Sequence, residues 1–189
     1  MGINDAEVDL IRDMCGLIPY YHSPDTSPAG KPILTKRLSK PYGTIESLPK
    51  DMHFSEYLEV FIQSWLPYLD KGTEIGWRVY QPEQTDSMIA VVFSVQKRED
   101  AKENIQNKDE IKSWNDVLIS LEDNLTEPFH SKDIYIQGMA RAVTDDSIMI
   151  IKRNETRLWT RSMAREDAEA TIVQAMNRKR IGERITQKQ

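Results

Sequence analysis

The sequence predicts an α+β domain with one mostly antiparallel sheet of about four to five strands, covered by helices on one face. Three observations lead there. Apolar residues recur at helical spacing in four separate stretches. Two pairs of β-rich runs are each joined by a short polar turn. The hairpins alternate with helices, an order that suits antiparallel pairing.

The first helix is expected from about Asn4 to Gly16. Asn4 and Glu7 have capping-box spacing, and Ile3 and Val8 occupy the positions of a hydrophobic staple. Leu10, Ile11, Met14 and Leu17 follow at helical spacing, and Gly16 offers a stop. Cys15, beside that apolar face, reads as a small core residue. Residues 19–50 hold six of the nine prolines and three of the seven tyrosines, so a long irregular segment is expected there, packed on something. Within it, Ile33-Leu34 and Ile45–Leu48 suggest short extended pieces. Phe54, Tyr57, Leu58, Phe61, Ile62, Trp65, Leu66 and Leu69 then mark a strongly amphipathic helix that Pro67 should end.

Ile75, Trp77 and Val79 alternate with Gly76, Arg78 and Tyr80, the period of a half-buried strand. Met88 to Val95 is nearly all apolar and reads as a central strand buried on both faces. Asn107 and Glu110 give a second capping signal before a helix with Ile111, Trp114, Leu118, Leu121 and Leu125 on one face. Ile134–Val143 and Ile148–Lys152 form the second hairpin around Thr144–Ser147, with a short third strand at Thr156–Trp159. The last helix, from about Thr160 or Ser162 to Arg180, carries Ala164, Ala168, Ile172, Ala175 and Met176 on one face. Its acids at the start and bases at the end suit the helix dipole. The chain is thus expected to be one domain over 1–189: an N-terminal helix (1–18), a Pro/Tyr/Lys loop (19–50), a helix-and-hairpin core (51–180) and a polar tail (181–189).

This helix–hairpin–helix–hairpin–helix order resembles that of the small acidic secretion chaperones. The resemblance implies a dimeric binding module, and it lies in the order of elements alone.

Composition narrows function. A single cysteine permits neither an internal disulfide nor a thiolate metal site, which fits a reducing, cytoplasmic setting. No signal-peptide pattern opens the chain and no apolar run is long enough to span a membrane. The net charge of −5 disfavours indiscriminate binding to nucleic acid. Phosphate-binding glycine loops, zinc-protease and nucleophile-elbow motifs are absent. His22, His53 and His130 fall in or beside loops, without metal-ligand spacing. No cofactor and no catalytic or metal residue is assigned.

The remaining signals point to contact surfaces. Tyr20, Tyr21, Lys36, Arg37 and Tyr42 lie in the proline-rich loop, where prolines limit the entropy lost on ordering. Arg157, Trp159 and Arg161 form a second candidate partner-binding group, with an internal ion-pair network to Glu155, Glu166 and Asp167 as the plainer reading. All four tryptophans fall on apolar faces, where core packing is the default. The expected function is a non-enzymatic binding module or accessory subunit acting on a protein partner or on itself. The alternatives are a nucleic-acid-associated protein using Lys36, Arg37, Arg178, Lys179 and Arg180, and an enzyme with a composite histidine–carboxylate site.

Overall fold

The computed structural model describes residues 2–24, 26–49, 53–83, 85, 87–97, 113–124 and 138–186. Four helices lie among them: α1 (Asp5–His22), α2 (His53–Trp65), α3 (Trp114–Asn124) and α4 (Arg161–Thr186). The five strands are β1 (Tyr42–Thr44), β2 (Thr73–Tyr80), β3 (Met88–Lys97), β4 (Met139–Val143) and β5 (Ser147–Arg153). They form one antiparallel sheet in the order β1-β2-β3-β5-β4, so the α+β architecture expected from the sequence is the one observed. No helix among the described residues is long and apolar enough to cross a membrane.

β3 occupies the centre of the sheet and is buried on both sides. Ile89, Val91 and Phe93 face one core, shared with α2 and α4. Met88, Ala90 and Val92 face a second core, shared with Trp114, Val117 and Leu121 of α3. The helices therefore cover both faces, not one. The cause is the period of two in β3 and β5, which turns apolar side chains both ways and leaves neither face fit for water. The second capping signal, Asn107 with Glu110, lies outside the described residues.

The main core is aromatic. Phe61 stacks on Phe93 with centroids 4.0 Å apart, and the Trp159 ring meets Tyr57 edge-on at 4.8 Å. Pro67 ends α2 after Trp65 as expected, and Leu66–Tyr68 becomes a 3₁₀ turn. Two local expectations fail. Thr156–Leu158 is a 3₁₀ turn, not a third strand, because β5 already has β3 on one side and β4 on the other. Ile45–Ser47 is likewise a 3₁₀ turn. The proline-rich segment is tied down by Asn154, whose side-chain amide both accepts from the Leu34 N–H (3.0 Å) and donates to the Leu34 carbonyl (2.8 Å). Leu34 thereby enters the core, 2% exposed.

Inside this core sits a group of charges. Lys152 continues the inward row of Ile148 and Ile150 on β5 and is fully buried. Its ammonium pairs with Asp167 of α4, also fully buried, and donates to the Leu158 carbonyl at 3.0 Å. The Tyr57 hydroxyl gives a 2.5 Å hydrogen bond to the same carboxylate, and Arg141 of β4 reaches its other oxygen at 2.7 Å. Glu166 balances Arg141 from outside at 3.0 Å. Burial holds the Lys152 ammonium below its ordinary value against the pull of Asp167. Burial and the neighbouring carboxylate push the Tyr57 phenol well above its own.

A single change that strands a buried charge costs far more than removing the pair together. Lys152→Met is expected to lose ~3–5 kcal/mol in denaturant unfolding, and Lys152→Met/Asp167→Asn, which removes the opposite charge while keeping an acceptor for Tyr57 and Arg141, distinctly less. Equal losses in the two variants would show that the pair is not the unit that matters.

Candidate functional site

α1 begins with the expected capping box: the Glu7 N–H donates to the Asn4 side chain at 3.0 Å, and the Asn4 N–H to the Glu7 carboxylate at 2.8 Å. The helix then runs through Gly16 and Pro19 to His22, past the expected stop. Tertiary contact explains the extension. The Tyr20 ring lies against Gly30, where an added Cβ would come within 2.9 Å, and the Arg157 guanidinium sits over that ring at 4.8 Å.

The helix is mounted by its acidic side. Asp9 is its one buried residue, 4% exposed. The Asp9 carboxylate accepts from Arg161 Nε at 3.0 Å and from Arg165 Nη2 at 2.7 Å. Burial pushes that carboxyl up, but the bonds from Arg165 and Arg161 outweigh it and hold it below its ordinary value. One turn on, Asp13 accepts from the Ser162 N–H at 3.3 Å and from the Ser162 hydroxyl. Both carboxylates thus meet the first turn of α4, where the helix dipole favours negative charge.

The apolar side consequently faces outward. Ile3, Leu10, Ile11, Met14, Ile18 and Tyr21 are 66%, 52%, 51%, 59%, 58% and 78% exposed. Ile3 and Val8, placed for a staple, are both exposed, and Cys15 is exposed instead of lying in the core. Beside this stripe a cavity of about 760 Å³ opens between α1, the Pro28–Gly30 turn and the start of α4. Leu10, Met14, Leu17, Pro28, Ala29 and Met163 are among its apolar lining, and His53 also borders it.

The residues singled out from the sequence divide. Tyr20, Tyr21, Arg157 and Arg161 are brought together around α1. Trp159 is 1% exposed and belongs to the core, its indole N–H donating to the Arg153 carbonyl at 2.9 Å, so it offers no surface to a partner. Tyr42 lies under Arg78, 5.4 Å from the ring centre, and near Lys40. Arg37 donates to the Pro82 carbonyl at 3.3 Å, beyond the end of β2, and Lys36 is exposed. Arg178 donates to the Val143 carbonyl in β4, the opposite edge of the sheet. The side chains of Lys179 and Arg180, and all of His130, lie outside the described residues. An arginine network exists, but Arg161 and Arg165 use Asp9, while Glu166 and Asp167 serve Arg141 and Lys152. Arg157 pairs with Glu155 at 2.6 Å, and Arg153 reaches the same carboxylate at 4.0 Å.

Among the described residues no group of three or more His, Cys, Asp or Glu side chains is placed to hold a metal. The densest titratable cluster, around Asp167, is closed: its pairing groups are bonded to one another, and Tyr57, Lys152 and Asp167 are 0% exposed. No protein-family model matches this chain, and no curated protein and no solved structure matches it.

Two signals for this site were present in the sequence. Asp9, Asp13 and Tyr20 fall on one helical side, and Arg161 with Arg165 is an i, i+4 pair able to receive a carboxylate. Asp9→Asn is expected to weaken α1 docking by ~1–2 kcal/mol, less than a fully buried pair because both arginines are one-third exposed. Because the folded-state value of Asp9 is depressed, its contribution is complete above its unfolded value near pH 4 and is lost as pH falls through the folded one. Amide exchange should therefore speed up in α1 for Asp9→Asn at neutral pH, and for the wild type as pH is taken down through and below the ordinary carboxylate range, before the sheet responds. Unchanged exchange in α1 would mean that other contacts hold it.

Proposed function

We propose that this protein is a non-enzymatic binding module or accessory subunit, and that its partner-facing element is α1. One observation carries the reading: a helix anchored through Asp9 and Asp13 directs Leu10, Ile11, Met14, Ile18 and Tyr21 into solvent. Fully burying a single such side chain is worth roughly 1.5–3 kcal/mol, so leaving a contiguous row of them wet is costly unless a partner covers it. The pairing is rigid enough to be read by a partner, since α1 is tied to α4 at two successive turns. The adjoining cavity adds a recess into which a partner side chain can fit, as hot-spot residues do.

Two features weigh against the other readings. Arg37 and Arg178 are held toward opposite edges of the sheet, which separates two of the positive charges a nucleic acid would need in one place. The acid–base cluster at Asp167 is saturated by internal bonds, leaving no face for a substrate.

Leu10→Glu/Met14→Glu is the deciding variant. Both positions are more than half exposed, so the thermal midpoint should stay within about 2 °C of wild type. Proteins cross-linked to the wild type in extracts of its own cells should be lost from the variant. Retention of the same proteins by the variant would remove α1 as the contact surface.

A further inference from the structure

We propose that the cavity between α1 and the start of α4 is a binding site for a small molecule with an apolar body and an amine end. The proposal goes beyond the reading of α1 as a contact face. Ile11, Ile18 and Tyr21 lie outside the cavity wall and point to solvent whether or not a ligand is bound. Three observations carry it. The first is packing. Protein interiors are close-packed, with few gaps larger than a water molecule. Yet α1 buries only Asp9 against the rest of the protein. Beside that contact, Leu10, Met14 and Leu17 on one wall and Pro28, Ala29 and Met163 on the other bound about 760 Å³. Such walls give water few hydrogen-bond partners. An apolar body between them supplies the packing that the ionic mounting of α1 does not.

The second is size. Small-molecule sites run from roughly 300 to 1,000 Å³ and are mostly apolar, with a few polar groups that fix orientation. The cavity beside α1 falls well inside that range. A single side chain reaching in from a protein partner is too small to fill it.

The third is charge, which chooses the polar end. Each arginine on the wall faces a carboxylate: Arg12 is 3.6 Å from Asp9, Arg165 2.7 Å from Asp9, and Arg157 2.6 Å from Glu155. The carboxylates on the wall are not matched in the same way. Glu166 has Arg141 at 3.0 Å. Asp13, however, accepts from the neutral N–H and hydroxyl of Ser162 and has no ion pair among the described residues. Glu169 has neither a hydrogen bond nor an ion pair among them. His53, the remaining titratable side chain there, lies 3.5 Å from Glu56. The charge left over on the wall is therefore negative. An ammonium group gains an ion pair beside it, and a ligand ending in a carboxylate is repelled.

The test is isothermal titration calorimetry of the full chain with decylamine, decan-1-ol and decanoate, at neutral pH and below micelle-forming concentrations. Decylamine should bind saturably at a single site, several-fold more tightly than the alcohol, with decanoate weakest. It should also slow amide exchange in α1, because it ties that helix to the wall opposite. Leu17→Trp fills the space and should lose all three probes. If that change disturbs the circular dichroism, Met14→Trp, at a position 59% exposed, takes its place. Glu169→Gln, at an exposed position, should keep the affinity for the alcohol and bring that for the amine down toward it. Four results overturn the proposal: no saturable binding of any probe, binding indifferent to the filling variant, decanol or decanoate bound as tightly as decylamine, or a preference for the amine unchanged in Glu169→Gln.

Discussion

The structure depends on one carboxylate. Asp167 receives Lys152 from β5, Tyr57 from α2 and Arg141 from β4, so four elements converge on a single side chain. Hydrophobic burial would hold α4 against the sheet in many neighbouring seatings, because dispersion and solvent exclusion are almost indifferent to direction. A buried anion with donors on both oxygens is not. Rotating or sliding α4 by one residue would break several charged bonds at once and leave ions without partners in the core. The Trp65 indole N–H donating to Thr171 at 3.1 Å repeats the constraint one turn further along. The ion cluster does not need to add net stability for this effect; it has only to make every other seating worse.

The seating of α4 determines what its first turn presents. With Asp167 turned inward, Arg161 and Arg165 lie on another side of the helix, free to receive α1. Asp9 and Asp13 answer them and the Ser162 N–H. Arg157 then closes over Tyr20, and the Pro28–Gly30 turn packs beneath it. The orientation of α1, and with it the direction of its apolar face, is a consequence of electrostatic choices made at the start of α4.

Most of the scaffold was legible. The gapless apolar stripe of α2, the alternation in β2 and the wholly apolar run of β3 each report burial directly, and the structure places them accordingly. What escaped was the role of polar groups among apolar neighbours. Lys152 follows Ile148 and Ile150 on the inward side of β5, and Asp167 sits between Ala164 and Ala168 on the inward stripe of α4. Either residue alone reads as an accident of pattern; only their meeting across the fold explains both, and periodicity carries no information about which distant residues meet. The same holds for Asn154, whose side chain organises a segment more than a hundred residues earlier.

α1 and α2 make the point most sharply, since both carry a wide apolar stripe and the same rule would bury both. α2 also carries acids opposite its stripe, Glu56 and Glu59, but they stay exposed and pair within the helix, with His53 and Gln63, so no cation elsewhere in the fold draws that side inward. The acids of α1 differ in having arginines that match them, Arg161 and Arg165 on α4. Turning α1 to bury Leu10, Met14 and Ile18 would leave Arg161 and Arg165 facing apolar side chains in place of carboxylates, a loss that charged, hydrogen-bonded partners do not easily forgive. The chain satisfies its ions from within and leaves the apolar stripe of α1 exposed. In α1 the polar side is the buried one, so the direction of the helix is set by its ions, and hydropathy alone assigns the wrong side to the core.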